Sequence, residues 1–165
     1  MTNKLVYPKI RTLAQLIKIV RGLKRRHKTV VFTNGCFDIL HFGHVKYLRQ
    51  AKKKGDALIV GLNSDRSVKK LKGKTRPLNA EFQRAYVLSN LSCVDFVVIF
   101  NEETPYNLIN VLKPDILVKG GDWQKDKIVG ADVIAKYGGK VIVIPYIEGF
   151  STSKLIRKII EKKPR

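Results

Sequence analysis

Leu13, Leu16, Ile17, Val20 and Leu23 recur at helical spacing, so the chain opens with an amphipathic helix over 13–23. Residues 29–33 (TVVFT) form a short β-rich run that ends in a glycine-containing turn. A helix is predicted from about Gly43 and stops at Gly55, a favourable residue just past a helix end. Residues 57–62 (ALIVGL) and 95–100 (DFVVIF) read as strands, separated by a helix that Asn79 caps and that runs to about Leu91. Thr104 and Pro105 give a cap followed by a proline at the first helical position. Strands follow at 116–119 and 141–144, with a helix near 131–137 between them. Ser151 or Thr152 caps a closing helix whose apolar stripe is Leu155, Ile156, Ile159 and Ile160. The strands are continuously apolar instead of alternating, and helices intervene between them. Both features predict a parallel sheet covered on both faces, that is, a doubly wound α/β domain with five parallel strands. The expected organisation is one domain over 1–165, with 1–28 a basic amphipathic helical segment and 29–165 the core.

In such sheets ligands bind beyond the carboxyl ends of the strands, where the winding reverses. The segments to inspect are therefore 34–44, 63–76, 101–104, 120–127 and 145–153. Composition narrows the partners. Lys plus Arg less Asp plus Glu is 33 − 13 = +20, a field that favours phosphates, nucleic acid or an anionic surface. Many lysines, such as Lys52, Lys53, Lys54, Lys162 and Lys163, are expected to be solvated helix faces. No apolar run reaches the ~18 residues of a membrane span, and the N-terminus lacks a signal-peptide pattern, so a cytoplasmic location is expected. Cys36 and Cys93 are expected to be free thiols in a reducing compartment.

The segment Gly35-Cys-Phe-Asp-Ile-Leu-His41-Phe-Gly-His44 carries the strongest chemical signal. Its two histidines lie three residues apart at a helix start, so they share one face. Gly43 permits close approach of a ligand to the backbone, and the helix terminus favours an anion. Zinc ligation by Cys36, Asp38, His41 and His44 is the rival reading, but their spacing matches no common zinc pattern. Asp38 is expected to bond the amides of its own turn. No G-x-G-x-x-G follows the first strand. Gly73-Lys74-Thr75 resembles the end of a P-loop, but the glycine that motif requires would fall at Val68.

The stretch GCFDILHFGH resembles the H-x-G-H signature of the cytidylyltransferase-like nucleotidyltransferases, a family of Rossmann-like fold, and the likeness runs through most of the chain after Thr29. The stretches at 63–84, 94–105, VKGGDW (118–123) and EGFSTSKLI (148–156) resemble one branch, the D-glycero-β-D-manno-heptose 1-phosphate adenylyltransferases. The resemblance implies transfer of AMP from ATP to the sugar phosphate by in-line attack, with pyrophosphate leaving and no covalent enzyme intermediate. It implies catalytic roles for His41 and His44 at the α- and β-phosphates, with Lys72 from the loop after the second strand and Arg84 as a pyrophosphate clamp. Nucleotide binding would fall to Thr33, Asn34, Gly35, Cys36, Phe37 and Gly43, to Lys119, Gly120, Gly121, Asp122 and Trp123, and to Gly149, Phe150, Ser151, Thr152 and Ser153. Asn63, Asp65 and Lys70 are the further candidates for the acceptor.

Mg²⁺ is implied as the counter-ion of ATP, with no protein ligand named. The implied partners are ATP, a sugar 1-phosphate and a separate heptose kinase that supplies it, with neither nucleic acid nor membrane, and the chain is expected to be a homodimer. One departure bears on specificity. The glycerol-phosphate cytidylyltransferases, which use CTP, carry an arginine where this chain has Tyr146. The resemblance implies that its task passes to another residue, with Arg84 the candidate.

Overall fold

A computed structural model of the chain describes residues 7–121, 123–145 and 149–161. Five strands, β1 (Val30–Gly35), β2 (Ala57–Asn63), β3 (Phe96–Phe100), β4 (Ile116–Gly120) and β5 (Lys140–Ile144), pair in parallel in the order β3-β2-β1-β4-β5. The described helices are α1 (Leu13–Arg25), α2 (Phe42–Lys52), α3 (Asp65–Lys72), α4 (Glu81–Ser89), α5 (Tyr106–Leu112), α6 (Ala131–Lys136) and α7 (Thr152–Glu161), with a 3₁₀ turn at Lys125–Lys127. The parallel, doubly wound architecture is the one that the continuous apolar strands predict.

Strand alternation divides the core into two layers. Val30, Phe32, Ile59, Val98 and Leu117 face α1, α5 and α6, where Leu16, Val20, Leu108, Ile109 and Ile134 cover them. Val31, Leu58, Val60, Leu62, Val97 and Val118 face α2 and α4, against Leu48, Ala51, Ala85 and Leu88. The first helix is therefore part of the core. It starts in a capping box, with Thr12 accepting from the Gln15 amide and Gln15 from the Thr12 amide.

Three aspartates, each just ahead of an apolar run, fix the strand starts. Asp56 accepts the Thr29 amide at 2.8 Å, Asp95 the Leu58 amide at 2.7 Å, and Asp115 the Val30 amide at 2.7 Å. Each carboxylate thus satisfies an amide at the amino end of β1 or β2. Asp95 also holds Lys52 at 2.7 Å. Lys52 is therefore a tie between α2 and β3, and the expectation that it belongs to a solvated run is corrected.

Several boundaries move. β1 extends to Gly35 because Asn34 and Gly35 keep register with Gly61 and Leu62. Residues 65–72 form a helix where a loop was expected, since Ser64 caps it by accepting the Ser67 amide. Ala80, not Asn79, stands at the N-terminus of α4, and Pro105 itself is the residue ahead of α5. The stripe of α7 does not enter the core. Leu155 and Ile156 are partly covered, but Ile159 and Ile160 are 63% and 65% exposed. No helix among the described residues is long and apolar enough to cross a membrane.

Phe32, wholly buried on the central strand, is the strongest single test of this packing. Phe32→Ala should lower the free energy of unfolding by about 3–5 kcal/mol. Val111→Ala on the exposed side of α5 should stay within ~0.5 kcal/mol of the parent. Urea denaturation followed by circular dichroism measures both, and equal effects would show that the assigned core is wrong.

Candidate active site

β1 and β4 are neighbours whose following connections run to opposite sides, toward β2 and toward β5. The strand order reverses there, and a cleft of about 450 Å³ opens above the carboxyl ends of the two strands. Its lining comes from residues 34–38, His41, His44, Tyr47, Val68, Lys72, Arg76, Lys119, Gly120, Trp123 and residues 150–153. A side lobe of about 320 Å³ shares Asn34, Gly35, Cys36, Lys72, Lys119 and Trp123, and adds Asn63, Glu103 and Thr104.

The two histidines meet on the cleft floor. His41 immediately precedes α2 and His44 lies in its first turn. Their rings stack with centroids 3.9 Å apart and an interplanar angle of 27°. The Nδ1 atoms of both are buried with no hydrogen-bond partner among the described residues. Burial lowers the pKa of His41, and burial with the neighbouring His41 brings that of His44 down to about 4. Two imidazolium ions cannot share this contact cheaply, so both rings are neutral at pH 7. Phe37, held at φ 44°, packs 5.3 Å from His44. A Cβ on Gly35 would lie 2.9 Å from the Phe37 ring, so a side chain there would displace that ring. A Cβ on Gly43 would meet the His41 ring at 3.1 Å and Phe150 at 3.2 Å. Gly43 therefore makes room for the protein's own His41 and Phe150, and it lines a small pocket beside both histidines.

Asp38 is buried, and its carboxylate accepts from Arg76 Nε at 2.6 Å, from the Leu78 amide at 2.8 Å and from the Asn79 amide at 3.0 Å. Asn79 Nδ2 returns a bond to the Asp38 carbonyl at 2.8 Å. Burial opposes ionisation of this carboxyl, but the amide and guanidinium donors outweigh it and hold its pKa below the usual carboxylate value. Asp38 is structural, as expected, but it binds a loop some forty residues away and not its own turn. No group of three His, Cys, Asp or Glu among the described residues could hold a metal ion, and the zinc alternative falls with that.

Arg84 faces the interior. Its side chain has 0% exposure and donates to the carbonyls of Asn79 (2.9 Å), Cys36 (2.5 Å) and Asn63 (2.9 Å) and to Asp65 Oδ1 (2.8 Å). With its donors spent inside the protein, it does not reach the cleft, and the expected pyrophosphate clamp has no basis in this arrangement. Asp65 is correspondingly committed to Arg84 and lies off the cleft. Asn63 supplies its carbonyl to Arg84 and its amide to Ser67, and reaches the side lobe. Lys70 pairs with Glu103 on the exposed surface, away from the main cleft. Lys72 does line the cleft, from the last turn of α3 and not from a loop.

Thr33 is wholly buried and its hydroxyl lies 2.6 Å from Tyr47 Oη, so it positions Tyr47 instead of meeting a nucleotide. Tyr47 donates in turn to the Val118 carbonyl at 3.2 Å. Asn34 accepts from Lys119 Nζ at 3.3 Å, and burial lowers the Lys119 pKa. Burial raises the Cys36 thiol, so it is not a thiolate nucleophile at neutral pH. Trp123 is 50% exposed on the cleft wall and is no core residue. Gly121, at φ 114°, bonds the Ile144 carbonyl. Ser151 caps α7 by accepting the Lys154 amide, Thr152 donates to the Ile39 carbonyl at 3.4 Å, and Ser153 lines the cleft. Gly149 adopts φ 85° ahead of them. Asp122 and Tyr146 lie outside the described residues. The residues that sequence reasoning missed are Arg76 and Tyr47.

A family model described as cytidylyltransferase-like matches residues 32–158. The chain is 59% identical over 155 residues to the bifunctional protein HldE of Campylobacter jejuni subsp. doylei, covering 94% of this chain and 32% of that protein. It is 52% identical over 154 residues to the bifunctional protein HldE of Syntrophotalea carbinolica, covering 93% and 31%. The chain thus spans about a third of the length of these curated relatives. Among solved structures, a lipopolysaccharide core biosynthesis protein of Thermoplasma volcanium is 33% identical, with a TM-score of 0.58 over 73% of this chain and 97% of that one. A pantoate-beta-alanine ligase of Francisella tularensis shares the fold, with a TM-score of 0.62 and 18% identity over 94% of this chain and 80% of that one.

The histidine pair predicts an acid response. In the unfolded chain each imidazole titrates near 6.5, whereas the folded state holds His44 neutral down to about 4. Between those values the unfolded chain binds more protons, so stability should fall as pH drops through that window. The contribution of Asp38 is lost only below its ordinary carboxylate range, which separates the two effects. Melting temperatures from pH 7.5 to 4.5 should fall more steeply for the parent than for His44→Gln. Parallel slopes would refute the assignment.

Proposed function

The chain belongs to the cytidylyltransferase-like family, and from that premise we propose that it transfers AMP from ATP to D-glycero-β-D-manno-heptose 1-phosphate, giving ADP-heptose and pyrophosphate. The observation that carries the reading is the stacked pair of imidazoles, each with a buried Nδ1 that has no hydrogen-bond partner among the described residues, on the floor of a cleft walled by Lys72, Arg76 and Lys119. A phosphate oxygen of the sugar phosphate attacks the α-phosphate in line, and pyrophosphate leaves. That nucleophile is already anionic, so the reaction demands alignment and charge neutralisation more than a protein base. His41 and His44 donate to the phosphoryl oxygens on which charge grows. Lys72 and Lys119 bring the two anions together, and the α7 end with Ser153 receives the distal phosphates.

The choice of heptose rests on likeness to the HldE proteins over 92–94% of this chain, together with the matching stretches at 63–84 and 118–123. A kinase activity must supply the sugar 1-phosphate. Mg²⁺ enters as part of MgATP. The one carboxylate lining the main cleft, Asp38, is already saturated by three N–H donors, so the described residues offer the ion no ligand set of their own.

Pyrophosphate release should be fastest with ATP and heptose 1-phosphate, and glycerol 3-phosphate should be nearly inert. Preference for ATP over CTP should be the smaller effect, because an acceptor that lacks the sugar hydroxyls leaves the site's own polar groups unpaired, which costs more. His44→Ala should lower turnover by ~10²–10³-fold while Lys53→Ala, on the exposed end of α2, leaves it unchanged. Initial rates for the four donor–acceptor pairs decide the matter. CTP with glycerol 3-phosphate as the best pair would overturn the acceptor assignment.

A further inference from the structure

Two arginines eight residues apart, Arg76 and Arg84, flank the loop that closes the histidine side of the cleft. Only one of them offers its charge to a ligand. Arg84 has no exposed side-chain surface and four internal acceptors. Arg76 lines the cleft and keeps 20% of its side chain exposed. Its Nε donates to Asp38 Oδ2 at 2.6 Å, and its two terminal nitrogens have no hydrogen-bond partner among the described residues.

We propose that Arg76 is the guanidinium that grips a phosphoryl group in this cleft, and that Asp38 is the residue that positions it. The proposal deepens the nucleotidyl-transfer reading by assigning its arginine. The geometry suits the task in three ways. The Nε bond fixes the plane of the guanidinium, leaving the Nη1–Nη2 edge for a bidentate pair of phosphate oxygens. Asp38 is itself held by the Leu78 and Asn79 amides, and Asn79 bonds back to its carbonyl, so the arginine stands on a tied loop. Asp38 also belongs to the segment that carries His41 and His44. Floor and wall therefore share one anchor, and the arginine's distance from the imidazoles is set before substrate arrives. Much of the side-chain entropy that a free arginine would lose on binding is already lost in the folded protein.

The phosphoryl group could belong to the nucleotide or to the sugar phosphate, and the experiment separates them. Binding of inorganic pyrophosphate is measured by calorimetry, and KM for ATP and for the sugar 1-phosphate by initial rates. The variants are Arg76→Ala, Arg76→Gln, Arg76→Lys and Asp38→Asn, with Arg66→Ala on the exposed face of α3 as control. Arg76→Gln retains a neutral donor for Asp38 in case the alanine variant fails to fold. Loss of a charge-assisted pair predicts a ~10–100-fold weakening, in pyrophosphate binding and KM for ATP if the nucleotide is held, or in KM for the sugar phosphate alone if the acceptor is held. Arg76→Lys should recover only part of it, since lysine cannot reproduce the fork. Asp38→Asn should shift the same constant, and combining it with Arg76→Gln should add little.

Arg76 variants that fold and stay within twofold of Arg66→Ala in all three constants would overturn the proposal. A melting-temperature loss in Asp38→Asn with unchanged constants would remove its positioning role. Weakened pyrophosphate binding in Arg76→Gln, in a parent that releases no pyrophosphate from ATP with any sugar phosphate, would leave Arg76 as an anion ligand and sink the transferase reading instead.

Discussion

The cleft keeps its shape because one buried cation holds three backbone segments together. The Arg84 guanidinium takes the carbonyls of Cys36, just beyond β1, of Asn63, at the end of β2, and of Asn79, ahead of α4. Burying a charge is expensive unless its donors are satisfied, and here one carboxylate, Asp65, and three carbonyls satisfy it. The dependence runs both ways. Without the guanidinium, three carbonyls in a tightly packed region would lose their donor, each at a cost of about 1–3 kcal/mol where no water replaces it. A residue that resembles a catalytic arginine in the sequence is thus the keystone beneath the loop that leads to the histidine pair.

Charge is the second constraint, and the net value of +20 overstates what the site uses. Lys28 with Asp56, Lys24 with Asp115 and Lys70 with Glu103 are partly or largely exposed pairs, which contribute little to stability and nothing to the cleft. Three basic side chains line the cleft itself: Lys72, Arg76 and Lys119. Beneath them the imidazoles are neutral, so the floor adds no repulsion to an already positive wall. A polyphosphate bound as proposed would work against that balance, because its field favours the protonated imidazole that burial and mutual contact disfavour.

The order and type of most elements were legible because continuous apolar runs leave few alternatives to a covered parallel sheet. What escaped was set by tertiary contacts. The segment 65–72 is rich in charge and carries only Val68 and Leu71 as apolar residues, so no periodic signal announced α3. Its first turn is held by Ser64, by Arg84 on Asp65, and by Glu81 accepting the Asp65 amide. The inward turn of Arg84 did have a signal. It stands one residue before the buried Ala85 and four before the buried Leu88, on the apolar side of α4. The three Asp-plus-apolar runs at 56, 95 and 115 were also readable as a repeated strand-start device. The partner of Asp38 was not, since nothing local joins position 38 to positions 76–79. The exposure of Ile159 and Ile160 was equally hidden: periodicity says which residues share a face, not whether anything covers it.

Reactive side chains in the cleft are held in unreactive states, and this bears on the kind of chemistry it supports. Among the described residues of the main cleft, the one carboxylate has its oxygens engaged by three N–H donors and a pKa held low, which makes it a poor proton acceptor. The one thiol is held in its protonated form by burial, which makes it a poor nucleophile. The side lobe's Glu103 is paired with Lys70. The groups left with unspent capacity are nitrogens: the Nδ1 atoms of the two imidazoles, the terminal nitrogens of Arg76, and the ammonium groups of Lys72 and Lys119. A site built this way is suited to holding and neutralising oxygens that already carry charge. It is poorly suited to creating an anion by deprotonation or to forming a covalent bond with substrate. That distribution is what the proposed direct transfer between two phosphorylated ligands asks of a site, since the attacking oxygen would bring its own charge and the protein would fix where that charge goes.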